Sequence, residues 1–255
     1  MRFRWLGTAG FEFKSGDTSL LIDPYLTRNP NSSPRQELKP EDFAESDAIL
    51  VTHGHFDHVY DVPPIARAGG CRVFASPQVC QRLYARGVAV DQLEAVRDFS
   101  HYDVGPFRVM AVPSRHVVFD IPLIARTALR CLPHAWSLAG KGMAYYPAGQ
   151  VYGYLIEVED RSLFHIGSAW LNRDAMEEFE VDIFFVPVQG RSDITGLAAQ
   201  LAAELKPRMV VPHHHDDFYP PLSQSIDLDP FKQDLYNLMP WVRMIVPSLN
   251  QWSEM

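Results

Sequence analysis

The sequence predicts a mixed α/β (α+β) fold, with two mixed sheets covered by helices in a single domain over residues 1–255. Three observations predict it. Short apolar runs punctuated by Gly, Asp and Pro open the chain as a meander of strands. Farther along, apolar runs alternate with amphipathic stretches of helical spacing. No linker, low-complexity segment or short-period repeat divides the 255 residues, a length that buries a substantial core.

"RFRWLG", "FEFKSG" and "SLLIDP" read as three strands joined by tight turns. "DAILVTHGH" reads as a buried strand whose C-terminal end delivers a loop of histidines. In "DVPPIARAGG" the prolines suit a helix start and the glycines its end. "CRVFAS" is the next strand, and "SPQVCQRLYARG" a helix with a Ser-Pro opening and a Gly stop. "FRVMAVPSRH" is a strand that ends on a histidine. Residues 117–147 break the rhythm: they are long, apolar and aromatic, with scattered Pro and Gly, as suits a lid or pocket wall. "GQVYGYLIEVEDRSLFHIGSAW" reads as a hairpin turning at Glu-Asp-Arg, followed by a short charged helix in "RDAMEEFE". "VDIFFVPVQG" is a buried strand, and "DITGLAAQLAAELKP" an amphipathic helix capped by Asp193 or Thr195. "RMVVPHHHDDF" again ends a strand on histidines, and "LDPFKQDLYNLMPWV" with "RMIVPS" adds a last helix and strand.

Apolar residues make up 47% of the chain and charged ones 21%, as in globular proteins that live in water. A net charge of -8 argues against binding extended nucleic acid, which needs a basic surface, and leaves room for a small anion in a local basic pocket. Three cysteines, Cys71, Cys80 and Cys131, cannot all pair and form no C-x-x-C, so they read as reduced thiols. The opening residues lack a signal-peptide pattern, and no stretch reaches the roughly 18 apolar residues of a membrane span. A cytoplasmic location is the expectation.

Predicted strands end repeatedly where a histidine or polar cluster begins: at His53 to His58, at His116, at Gly167-Ser168 and at His213 to His215. Strand ends in layered folds lie along one edge, so these positions are expected to converge. Imidazole and carboxylate suit zinc and similar divalent ions. His53 and His55, two apart, point to one side of an extended backbone, while Asp57 and His58 follow a turn and address a second position. One loop can thus serve two neighbouring ions. His101, His134 and His165 stand alone and read as ordinary surface or packed histidines.

"THGHFDH" resembles the signature of the metallo-β-lactamase-fold hydrolases. "RFRWLGTAGFEFKSGDTSLLIDP" resembles the start of their branch of ascorbate-6-phosphate lactonase-like proteins, and the likeness runs to about residue 220. The resemblance implies a four-layer αββα sandwich with metals at the sheet edge. It implies His53, His55 and His116 around a first ion, and Asp57, His58 and a late histidine around a second. Pro-x-His spacing selects His214 as that histidine, with His213 the alternative; His215 and Asp216 then contact substrate or support ligands. Asp23 is expected to orient a ligand histidine. Ser168 stands where the family usually has a bridging aspartate. Two divalent ions are expected, zinc before manganese, nickel or iron, with a single ion as the alternative that Ser168 leaves open.

The implied activity is hydrolysis of a small ester or lactone by a metal-activated hydroxide. The alternatives are a phosphodiesterase of lipid-headgroup or nucleotide type and a non-catalytic metal-binding relative. Catalytic roles fall to Asp57, to Ser168 as a hydrogen-bond partner of the hydroxide, and to His215 or Tyr219 as proton donor. In the candidate lid, Phe119, Leu123, Trp136, Tyr145 and Tyr146 lie beside Arg126, Arg130 and Lys141. This mixture suits an amphiphilic or anionic small molecule; packing as core, or a contact between copies in a homo-oligomer, is the other reading of the aromatics.

Overall fold

The computed structural model describes residues 1–134 and 146–255. In the first sheet, β1 (Arg2–Gly7), β2 (Gly10–Ser15) and β3 (Thr18–Ile22) run antiparallel. β4 (Ala48–Leu50), β5 (Arg72–Ala75) and β6 (Leu93–Ala95) extend it in parallel. The second sheet repeats this plan. β7 (His101–Val104), β8 (Phe107–Ser114), β9 (Val151–Val158) and β10 (Arg161–Ile166) run antiparallel. β11 (Ile183–Pro187), β12 (Met209–His213) and β13 (Arg243–Met244) follow in parallel. β14 (Trp252–Glu254) returns to the first sheet beside β1.

Side-chain alternation builds the layers. Ile183 and Phe185 of β11 join the core between the sheets, while Phe184 and Val186 face the helices outside. The Phe185 ring meets Phe3, Phe11 and Phe13 edge-on, at 5.4, 5.0 and 5.3 Å between centroids. The four-residue α1 (Phe56–Val59) belongs to the histidine loop. α2 (Val62–Gly69) and α3 (Pro77–Ala85) cover the first sheet through Ile65, Ala66, Val79 and Leu83. Prolines near its start and Gly70, with φ 70°, bound α2, and Ser76 caps α3 by accepting from Val79 N–H.

α4 (Ile121–Cys131) lies in the candidate lid, and α5 (Arg173–Met176) is a single turn. α6 (Ile194–Leu205) and α7 (Asp229–Leu238) cover the second sheet. The order helix, sheet, sheet, helix is the four-layer αββα sandwich.

One expectation needs correction. Neither Asp193 nor Thr195 caps α6 with its side chain: Asp193 sits at the cap position, but its carboxylate pairs with Arg191, and Thr195 lies inside the helix. The candidate lid holds a regular helix, α4, none of whose residues is buried. Its Trp136, Lys141 and Tyr145 lie outside the described residues. The three cysteines are unpaired, and burial pushes the Cys71 and Cys80 thiols up to about 11. Among the described residues no helix is long and apolar enough to cross a membrane.

Candidate metal centre

The C-terminal ends of β3, β4, β8, β10 and β12 meet at one edge, where Asp23, the loop 51–58, His116, Ser168 and His214 come together. Two groups of three donors form there: His53, His55 and His116 in one, Asp57, His58 and His214 in the other. Within each group the candidate ligand atoms lie within 4.8 Å of one another. The His55 and His116 ring centroids are 4.5 Å apart, and those of His53 and His58, which link the two groups, 3.9 Å apart.

A hydrogen-bond network turns the free ring nitrogens inward. Asp23 accepts from the Thr52 hydroxyl at 2.5 Å and from His58 Nδ1–H at 2.7 Å. The Thr52 oxygen, its proton given to Asp23, accepts from His53 Nδ1–H at 3.0 Å. His116 Nδ1–H donates to the Val117 carbonyl at 2.7 Å. These bonds select the tautomers that leave Nε2 of His53, His58 and His116 unprotonated. Gly167 lets this hub close up, since a Cβ there would fall 2.0 Å from the Thr52 hydroxyl.

The donors fit a zinc-type ion. Two ligand atoms on one tetrahedral ion with bonds of about 2.0 Å lie about 3.3 Å apart. His53 Nε2 and His55 Nδ1 are 3.1 Å apart, Asp57 Oδ2 and His214 Nε2 3.1 Å, and Asp57 Oδ2 and His58 Nε2 3.7 Å. Five imidazoles and one carboxylate are also the donor chemistry such ions prefer. Burial keeps His53, His55 and His116 neutral, holding His55 down to about 4, so their lone pairs stay available. Burial raises the Asp57 carboxyl, but His58 and His214 outweigh it and keep the group well below the usual carboxylate range. Burial also opposes a proton on His58, yet Asp23 and Asp57 prevail and raise its pKa.

Asp23→Asn should therefore lower metal affinity about 10–100-fold, because the amide no longer fixes the His58 and Thr52 orientations. Competition against a chromophoric chelator measures this, and an unchanged affinity would contradict the assignment.

The structure separates the three late histidines. His213 ends β12 and turns inward, stacked on His165 at 4.8 Å and 6°. His214 leaves the strand with φ 59° and presents Nε2 to Asp57. His215 lays its ring against Trp5 at 4.6 Å. Thr8 and Asp23, with φ 46° and 43°, also hold left-handed backbone beside the site, a conformation costing about 1–3 kcal/mol each for non-glycine residues. Supports hold it there. Thr8 O accepts from His214 N–H at 2.9 Å, and Thr8 N–H donates to Asp216, whose carboxylate pairs with Arg28 at 2.5 Å.

Ser168 Oγ accepts from Val117 N–H at 2.8 Å, which steadies the residue that orients His116. Thr52 and Arg28 escape sequence reasoning. Thr52 opens the motif but carries no metal-donor chemistry to single it out, and Arg28 sits in a loop with no pattern linking it to Asp216.

His165 and His213 are fully buried; burial pushes His165 down to about 4 and His213 well below its ordinary 6.5. In the unfolded chain both bind protons near pH 6.5, so the unfolded state gains protons first on acidification. Their contribution to stability is full above about pH 6.5 and falls as pH drops toward 4. Metal-stripped protein is expected to melt at lower temperature at pH 5 than at pH 7.5; an equal Tm at both would contradict buried neutral imidazoles.

A family model described as the beta-lactamase superfamily domain matches residues 2–214. A UPF0173 metal-dependent hydrolase of Pyrococcus horikoshii is 30% identical over 239 residues, covering 91% of each chain. One of Methanopyrus kandleri is 28% identical over 245 residues, covering 93% of each. The solved structure of a metallo hydrolase from Ignicoccus hospitalis superposes with a TM-score of 0.72 at 18% identity, covering 100% of this chain and 98% of that one, a likeness of fold. A family model over most of the chain, together with relatives matched nearly end to end, settles its kinship: it belongs to the beta-lactamase superfamily, among the UPF0173 metal-dependent hydrolases.

Proposed function

We propose that this metal-dependent hydrolase acts on small carbonyl substrates, esters or lactones, with divalent ions, zinc foremost, held by the two triplets. The observation that carries the reading is the adjacency of two three-donor groups that share no residue, with ring nitrogens turned inward by Asp23, Thr52 and Val117. Divalent ions bound in such sites lower the pKa of water toward neutrality and polarise a carbonyl oxygen. The residues do the rest. Asp57, held ionised, and neutral His53, His55 and His116 keep the donors ready at neutral pH. Ser168, whose oxygen already accepts from Val117, retains its own proton to donate to an oxygen in the site. His215 keeps its place as a candidate proton donor, since the face contact with Trp5 leaves its ring nitrogens uncommitted and Nε2 has no hydrogen-bond partner among the described residues.

A phosphodiesterase finds less support. Arg130 of the candidate lid is spent on the carbonyls of Pro221 and Leu222, and Arg191 on Asp193, so neither is free for a phosphate. A panel of lactones, aryl esters and bis-aryl phosphates, assayed with zinc and with manganese, tests the reading. Turnover of the carbonyl substrates, lost on chelation and restored by metal, is the expected result. Preference for the phosphates would overturn the substrate class, and tight metal binding without any turnover would favour a non-catalytic role.

A further inference from the structure

An aromatic wall stands beside the Asp57–His214 side of the site. Phe56, between ligand-loop residues His55 and Asp57, lies 5.7 Å from Tyr25, 6.1 Å from Phe218, 5.7 Å from Tyr219 and 6.4 Å from Tyr146, centroid to centroid. Phe218 reaches the His214 ring at 5.1 Å. Tyr25 and Phe218 are buried and form a floor, whereas Phe56, Tyr219 and Tyr146 are half-buried and form an open lip. A cluster serving only the core would bury every ring. Here a rigid apolar surface opens next to candidate ligands, the form taken by sites for flat apolar groups.

Its charge is also informative. Among the described residues the guanidiniums bordering the wall are engaged. Arg86 stacks over Tyr146 at 4.0 Å, Arg28 pairs with Asp216, and Arg130 binds the carbonyls of Pro221 and Leu222. A neutral ring would bury its faces there at no desolvation cost for a charge.

We infer that the substrate is a neutral ester bearing an aromatic ring, with the ring seated on Phe56, Phe218 and Tyr219. This rests on the hydrolase reading above. Water adds across the acyl C–O bond, giving the carboxylic acid and the alcohol; Phe56 and Phe218 bind the ring and take no part in the bond changes.

The test compares benzyl acetate with ethyl acetate on the zinc-loaded enzyme, since their leaving alcohols have similar basicity and the ratio of kcat/KM reports recognition of the ring. At least a tenfold preference for benzyl acetate is expected, and Phe56→Leu and Tyr219→Leu should each cut that ratio about threefold or more. Binding of benzyl alcohol, followed by saturation-transfer NMR on wild type and Tyr219→Leu, gives a readout independent of turnover. Hydrolysis of both esters without preference, or a preference that neither substitution reduces, overturns the inference and leaves the hydrolase reading standing. Benzyl alcohol binding that Tyr219→Leu abolishes, with neither ester turned over, sustains the aromatic site and sinks the ester hydrolase. Neither binding nor turnover overturns both.

Discussion

His55→Ala is expected to lose metal and turnover together. His55 supplies one of three donors around the first position, with Nδ1 3.1 Å from His53 Nε2 and its ring 4.5 Å from that of His116. Two imidazoles do not make a closed site, so kcat/KM should fall on the order of 1,000-fold or more. The fold should survive. His55 is half-buried, sits before α1, and makes no side-chain capping bond. Metal analysis of the desalted variant, with circular dichroism as the control for folding, checks this. A folded variant with full activity would remove His55 from the metal centre.

The second large effect falls outside the donor set. Arg28→Met should destabilise the protein by about 3–5 kcal/mol, because it strands a buried charge. The Arg28 and Asp216 side chains are 2% and 0% exposed, and Asp216 also accepts from Thr8 N–H. Methionine fills much of the arginine's volume and cannot answer the carboxylate. The loss should reach the metal centre too, since Thr8 links Asp216 to the backbone of His214. Urea denaturation measures the first effect and metal competition the second. A stability change below about 1 kcal/mol would contradict the stranding of a buried charge.

The layered fold was legible because its central strands carry a strong signal. β4 and β11 are continuous apolar runs that follow an Asp, β2 alternates Phe with charged residues between glycines, and α2 over the first sheet has Pro and Gly at its ends. β6, β7 and β14 escaped because each is a short, largely exposed edge segment whose strand character comes from its neighbour. The run from His53 to His58 announced itself by crowding donors into six positions. The late histidine was harder, because three stand in a row and only the left-handed turn at His214 separates the inward ring from the one facing Asp57. The Phe56 wall joins residues 25, 56, 146, 218 and 219, which no local pattern connects. Asp216 was expected to support the site, but its pairing with Arg28, 188 positions away, was equally invisible.

A crystal structure of zinc-soaked protein, with anomalous data at the zinc edge, tests the central claim most directly. Two peaks per chain are expected, one among His53, His55 and His116 and one among Asp57, His58 and His214, each within about 2.0–2.2 Å of its ligand atoms. A single peak would contradict the dinuclear centre, and no peak at either triplet would contradict the metal site itself.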